Sequence, residues 1–169
     1  DLARKIICVN NTFAFPWTDN LPYNSVKIKQ MGWPTTERYR QYSRRKFKYS
    51  TPVNLTVEYW FKQNGVYNHP NAHDVFKVKG GKSKMQTIPE GDTSRKSFKR
   101  LHRWKYSPTA AYGNNEVHLH PYRTRRLSVA EAMAIQSLPE WFELPPNVCL
   151  SAKFKMIGNG VPYLMALNI

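Results

Sequence analysis

The residues able to do chemistry are few and poorly grouped. Cys8 and Cys149 are the two thiols, and a thiolate nucleophile needs a cation, a base or a helix N-terminus beside it. Both sit in apolar contexts instead, Ile-Cys-Val and Val-Cys-Leu. Such settings predict buried free thiols, with one disulfide as the alternative, and so low a count fits a reducing cytosol. His118 and His120 alternate on an extended segment with no cysteine nearby; this is not a zinc-ligand pattern, and no metal site is expected. Glu131 follows Ser128 by three residues and opens onto an apolar run. That spacing is a capping box, in which each side chain satisfies an amide left open at the start of a helix, so Glu131 is expected to cap rather than to catalyse. Arg125-Arg126-Leu127-Ser128 is also similar to a basic phosphorylation site, but use of the serine as a cap favours a chance match.

The cations carry more information. Residues 1–115 hold 21 Lys and Arg against 7 Asp and Glu, a net of +14, whereas residues 116–169 hold 5 against 4. Two basic runs interleave with aromatics, Arg38 to Tyr49 and Arg95 to Lys105, and four lysines, Lys77, Lys79, Lys82 and Lys84, surround Gly80-Gly81. Self-repulsion on this scale is best explained by a polyanionic partner, whose phosphates release condensed counterions when Lys or Arg neutralises them. No amphipathic basic helix is visible, which favours nucleic acid over an anionic membrane. The expected phosphate contacts are Arg44, Arg45, Lys46, Lys82, Lys84, Arg95 and Lys96, which lie at turns and in the basic-aromatic runs.

These residues need a scaffold, and the composition can supply one. Hydrophobic residues make up 41% and aromatics 14% of the 169 residues, enough for a packed core and too apolar for a disordered basic tail. No stretch approaches the roughly 18 apolar residues of a membrane span, so a soluble, cytoplasmic chain is expected. Prolines at 16, 22, 34, 52, 70, 89 and 108 argue for short strands and loops in the first half. Alternation over Val53, Leu55, Val57, Tyr59 and Phe61 predicts a strand, with a short helix over Val57 to Lys62 as the alternative. Asp74 to Lys79 resembles a strand running into the Gly80-Gly81 turn. In the second half, Ser128 starts a helix that runs through Gln136 and stops before Pro139, with Leu127 as a hydrophobic staple. A strand is expected around Leu150 to Met156, and then a helix capped by Asn159 with Pro162 in its first turn. The fold class is α+β, with an irregular, strand-containing nucleic-acid-binding region over residues 1–115 and a helix-bearing segment over residues 116–169.

Arg125-Arg126-Leu127-Ser128-Val129-Ala130-Glu131-Ala132-Met133-Ala134-Ile135-Gln136-Ser137-Leu138-Pro139-Glu140-Trp141-Phe142 resembles the ninth conserved motif of DNA (cytosine-5)-methyltransferases. Lys155-Met156-Ile157-Gly158-Asn159-Gly160-Val161-Pro162 resembles the tenth, and Ser107-Pro108-Thr109-Ala110 and His120-Pro121 are similar to the segment leading into the ninth. Ala130 and Ala134 replace two usual arginines, Met156 a common glutamine and Gly160 a common alanine.

The resemblance implies that residues 1–115 correspond by position to the target-recognition region, and that residues 116–169 complete an α/β catalytic domain. It further implies S-adenosylmethionine as cofactor, with Gly158, Asn159 and Val161 at its site, and duplex DNA as partner, with Thr109 among the DNA-binding residues. A helix N-terminus at Asn159 would offer amides and a positive dipole end to a carboxylate. The family's thiolate comes from a Pro-Cys loop with a Glu-Asn-Val segment nearby. Neither cysteine here follows proline and no Glu-Asn-Val occurs, so no catalytic residue is expected in this chain. It is expected to be inactive alone and to work with an N-terminal catalytic part, in the same chain or a separate subunit. The rival reading is a free-standing nucleic-acid-binding module without methylation chemistry.

Overall fold

The capping box at Ser128 builds the helix around which the rest packs. In the computed structural model, which describes residues 29–78, 80–110, 112 and 116–167, Ser128 Oγ accepts from the Glu131 amide and Glu131 Oε2 accepts from the Ser128 amide at 2.8 Å. Helix Val129–Ile135 follows. It ends as the sequence predicts, before Pro139, through Ser137 in the left-handed region (φ 52°). The amides of Ser137 and Leu138 return to the carbonyls of Ala134 and Met133, which closes the helix with its last acceptors satisfied. Almost every residue of this helix is buried.

Labelled in chain order, the helices are α1 (Val57–Gln63), α2 (Lys82–Thr87), α3 (Val129–Ile135), α4 (Leu150–Asn159) and α5 (Tyr163–Leu167), with 3-10 turns at Val53–Leu55 and Pro70–His73. Helix α3 packs against α1, α4 and the Pro70–His73 turn. The core joins Val57 and Phe61 of α1, Leu127 to Ala134, and Phe154 and Ile157 of α4. A smaller cluster of Met85, Ile88 and Leu119 lies under α2.

The expected strands are not there. Helix α1 takes the place of the alternation from Val53 to Phe61. Thr56 caps it, and its first two amides donate to the carbonyls of Lys105 and Arg103. Residues 74–78 belong to no helix or strand, and the Asp74 carbonyl accepts from the Val129 amide at 2.9 Å. Phe76 stacks on Phe154 with centroids 5.2 Å apart, and Asp74 accepts from the buried Lys153 at 2.7 Å. Helix α4 replaces the strand at Leu150 to Met156, because Leu150, Phe154 and Ile157 share one helical face while Met156 points to solvent. Cys149, expected buried, becomes the exposed residue before α4; Cys8 lies outside the described residues. Asn159 ends α4 rather than starting the next helix.

Among the described residues, pairing outside helices is confined to single bridges, Glu37–Glu90, Arg100–Leu119 and Leu119–Arg126. Side chains do the work of a ladder. Fully buried Arg100 donates to the carbonyls of Met85, Ile88, His120 and Arg123, which ties three segments together. Burial pulls its guanidinium down to about 10, so it remains charged at neutral pH.

Candidate nucleic-acid interface

The segment from Thr36 to Tyr49 contains no helix among the described residues, so its conformation comes from the groups that pin it. Buried Arg103 pairs with Glu90 through Nε and Nη2, at 2.8 and 2.9 Å, and reaches on to the Ser43 carbonyl and hydroxyl at 2.6 and 2.9 Å. The Tyr42 amide donates to the Tyr122 carbonyl at 2.8 Å, Tyr39 OH bonds Thr124 Oγ1 at 2.8 Å, and Arg45 pairs with Glu37. Phe47 meets Trp104 edge to face at 5.3 Å.

This anchoring shapes a groove from two adjoining depressions. One, of about 250 Å³, is lined by Gln41, Tyr42, Lys82, Gln86, Arg123, Thr124 and Arg125. The other, of about 760 Å³, is lined by Thr36, Glu37, Arg38, Tyr39, Gln41, Gln86, Thr87 and Pro89. Gln41 and Gln86 belong to both. Among the described residues the one carboxylate lining the groove, Glu37, is held by Arg45 and by Tyr49 OH at 2.5 Å, so the cations Arg38, Lys82 and Arg123 set its sign. Lys82 and Gln86 stand one turn apart on the same face of α2.

Lys82 alone of the expected phosphate contacts lines this groove. Arg44, Lys46 and Lys96 are exposed elsewhere, Arg95 pairs with Asp92 at 3.5 Å, and Lys84 lies 5.6 Å from the Phe98 ring. Sequence reasoning missed Arg38, Gln41, Tyr42, Gln86 and Arg123. Arg123 was hidden because the second half has almost no net charge, yet folding brings it beside Lys82, its guanidinium over the Tyr67 ring at 4.2 Å.

Arg125, at the start of the ninth-motif segment, turns away from phosphate chemistry. Its guanidinium grips Glu131 in a fork at 2.7 and 2.8 Å, with His120 Nε2 3.4 Å from the same carboxylate. Burial works against ionisation of Glu131, but His120 and Arg125 overcome it and hold the carboxyl below its usual range. Burial pulls His120 itself down to about 4. Glu131 therefore fixes helix α3 to the segment before it, in addition to capping.

A second feature lies around α4. Thr109, Ala110, Trp60, Gln136, Gly158, Gly160 and Pro162 are among the residues lining a cleft of about 520 Å³. Thr109 is thus beside the tenth-motif segment and not in the groove. Gly158 is required by close approach: a β-carbon there would lie 2.8 Å from the Tyr112 amide nitrogen and 3.2 Å from the Ala110 carbonyl oxygen. Asn159 and Val161 are exposed beside it. Because Asn159 ends α4, the local dipole presents carbonyls, and the helix-N-terminus argument for a carboxylate ligand fails there. Among the described residues no carboxylate or cation lines the cleft, so these residues suit one uncharged wall of a cofactor site and not the grip on a charged cofactor. Among the described residues no three His, Cys, Asp or Glu are grouped to hold a metal.

The chain thus carries a basic groove on arginine-stapled loops and, on helices α3 and α4, the two motif-bearing segments. Residues 6–169 match the family of C-5 cytosine-specific DNA methylases, and the chain belongs to that family. It is similar to the type II methyltransferase M.NmeDI of Neisseria meningitidis serogroup C, 55% identical over 159 residues, which cover 92% of this chain and 36% of that protein. It is also similar to the type II methyltransferase M.AplI of Arthrospira platensis, 50% identical over 47 residues, 28% of this chain and 13% of that protein. The chain therefore spans about a third or less of the length of these relatives. No solved structure matches it. The free-standing-module reading is not favoured by this membership. No helix among the described residues is long and apolar enough to cross a membrane.

Proposed function

We propose that the whole protein transfers a methyl group from S-adenosylmethionine to carbon 5 of cytosine in a specific duplex DNA site, and that this chain supplies the DNA-recognition part. The observation that carries this reading is the Arg125–Glu131 fork, which ties a segment lining the cationic groove to the motif-bearing helix α3, itself packed against α4. The attacking thiolate and most of the cofactor's partners come from the rest of the protein, in the same chain or another subunit, because neither cysteine here has the Pro-Cys context. The target carbon is unreachable inside a stacked duplex, so the cytosine is flipped out.

S-Adenosylmethionine supplies the electrophilic methyl group when bound. Around its site this chain does three things. Gly158 lets α4 close onto residues 110 and 112, the uncharged cleft excludes water on one side, and Asn159 and Val161 face outward to meet the cofactor or the segment that holds it. Exposed apolar residues fit the same arrangement, since Trp141 is 76% exposed and Met156, Val161, Met165 and Leu167 more than half. They pack against the remainder of an α/β catalytic domain, which residues 116–169 help to complete.

The test is transfer of tritium from labelled S-adenosylmethionine to duplex DNA. The whole protein is expected to incorporate label and residues 1–169 alone none; incorporation by the isolated chain would refute the assignment.

A further inference from the structure

The groove contains two neutral amides where only cations would be needed to hold a phosphate backbone. Gln41 and Gln86 are exposed and line both depressions, between Lys82 and Arg123 on one side and Arg38 on the other. An amide gains nothing from counterion release, but it carries the donor-acceptor pair that matches a base edge.

Gln41 is also oriented in advance. Thr124 Oγ1 donates to Gln41 Oε1 at 3.3 Å and bonds Tyr39 OH at 2.8 Å. A hydroxyl has one hydrogen, so Thr124 must accept from Tyr39 while it donates to Gln41. The Tyr39 ring lies 4.0 Å beneath the Arg100 guanidinium, which the carbonyls of the core hold in place. With Oε1 fixed by Thr124, both hydrogens of Gln41 Nε2 are free to donate, and one oxygen lone pair remains to accept. Beside Gln41, Tyr42 sits at φ 52° with its amide donating to the Tyr122 carbonyl, and the residue is 64% exposed on the rim. A strained backbone that presents an aromatic ring is a feature of ligand-contacting loops.

We infer that Gln41 and Gln86 read base edges of the DNA site, with Thr124 positioning Gln41 and with Lys82 and Arg123 holding the flanking phosphates. This rests on the methyltransferase reading and specifies which residues of the chain set its sequence preference. The amides contact bases, whereas the cations position the duplex without specifying it.

The experiment is bisulfite sequencing of DNA from a host free of cytosine methylation that expresses the whole protein, as wild type or as Q41A, Q86A, T124V or K82A. The base frequencies around each methylated cytosine are the readout. Q41A and Q86A are each expected to relax discrimination at one or more positions of the site by about tenfold or more. T124V should relax the positions affected by Q41A, which a merely structural role would not do. K82A should lower methylation at all sites with its context unchanged. An unchanged context in both Q41A and Q86A, or loss of methylation in both with no relaxed sites, would overturn the inference. Absence of methylated cytosine with the wild type would instead overturn the methyltransferase reading beneath it.

Discussion

Replacing Arg100 by Lys separates two roles that look alike in the sequence. Arg100 belongs to a basic run, and charge alone would make it a phosphate contact. In the structure its guanidinium donates at 3.0 Å to Ile88, 2.5 Å to Met85, 2.5 Å to His120 and 3.3 Å to Arg123, all backbone carbonyls, and stacks on Tyr39. Lysine keeps the charge but carries its donors on one atom, which cannot span three segments. At least two carbonyls would then be left unsatisfied in a buried site, at about 1–3 kcal/mol each. A loss of about 2–6 kcal/mol follows for two such carbonyls. At about 2–4 °C per kcal/mol, Tm should fall by roughly 10 °C. Thermal unfolding of R100K against wild type, with K96A as an exposed control, measures this. If R100K melted with wild type, the four carbonyls would not depend on the guanidinium and the stapling account would be wrong.

Acid should weaken the fold before it protonates ordinary carboxylates. Burial pulls His102, His118 and His120 down to about 4 from an ordinary 6.5. Between those values the unfolded chain binds more protons than the folded one, so stability is full above about pH 6.5 and falls toward pH 4, by about 1.4 kcal/mol per pH unit for each histidine. Urea midpoints that stay level from pH 7.5 to 5 would contradict this. Gly158→Ala should cost about 1–3 kcal/mol by overpacking α4 against residues 110 and 112, seen as a lower Tm; an unchanged Tm would show that the close approach can relax. Replacing Lys82 and Arg123 together by Ala should weaken binding to all duplex sequences alike and flatten the slope of log affinity against log salt by about 1.8, at 0.9 per phosphate contact. An unaltered slope would make the groove's cations a solvated face.

Local signals carried part of the second half of the chain. The Ser128–Glu131 capping box, the stop before Pro139 and both motif segments are visible in a single sequence because their determinants lie within a few residues. The strands failed for a definable reason. Leu150, Ala152, Phe154 and Met156 fit period 2, while Leu150, Phe154 and Ile157 fit the helix, and only the contact of Phe154 with Phe76 and Tyr112 decides between them. The same ambiguity over Val53 to Phe61 was resolved by the carbonyls of Arg103 and Lys105, which receive the first amides of α1. The groove was legible as a charge excess but not as a place. Arg100 and Arg103 contribute to that excess and are spent inside, whereas Arg123, Gln41 and Gln86 come together only through loops stapled across distant parts of the chain.

The most direct measurement is mass spectrometry of nucleosides from unmethylated plasmid DNA incubated with the purified whole protein and S-adenosylmethionine. Accumulation of 5-methyldeoxycytidine as the single modified nucleoside is the predicted result; methylation at a cytosine or adenine amino group, or none at all, would contradict the assignment.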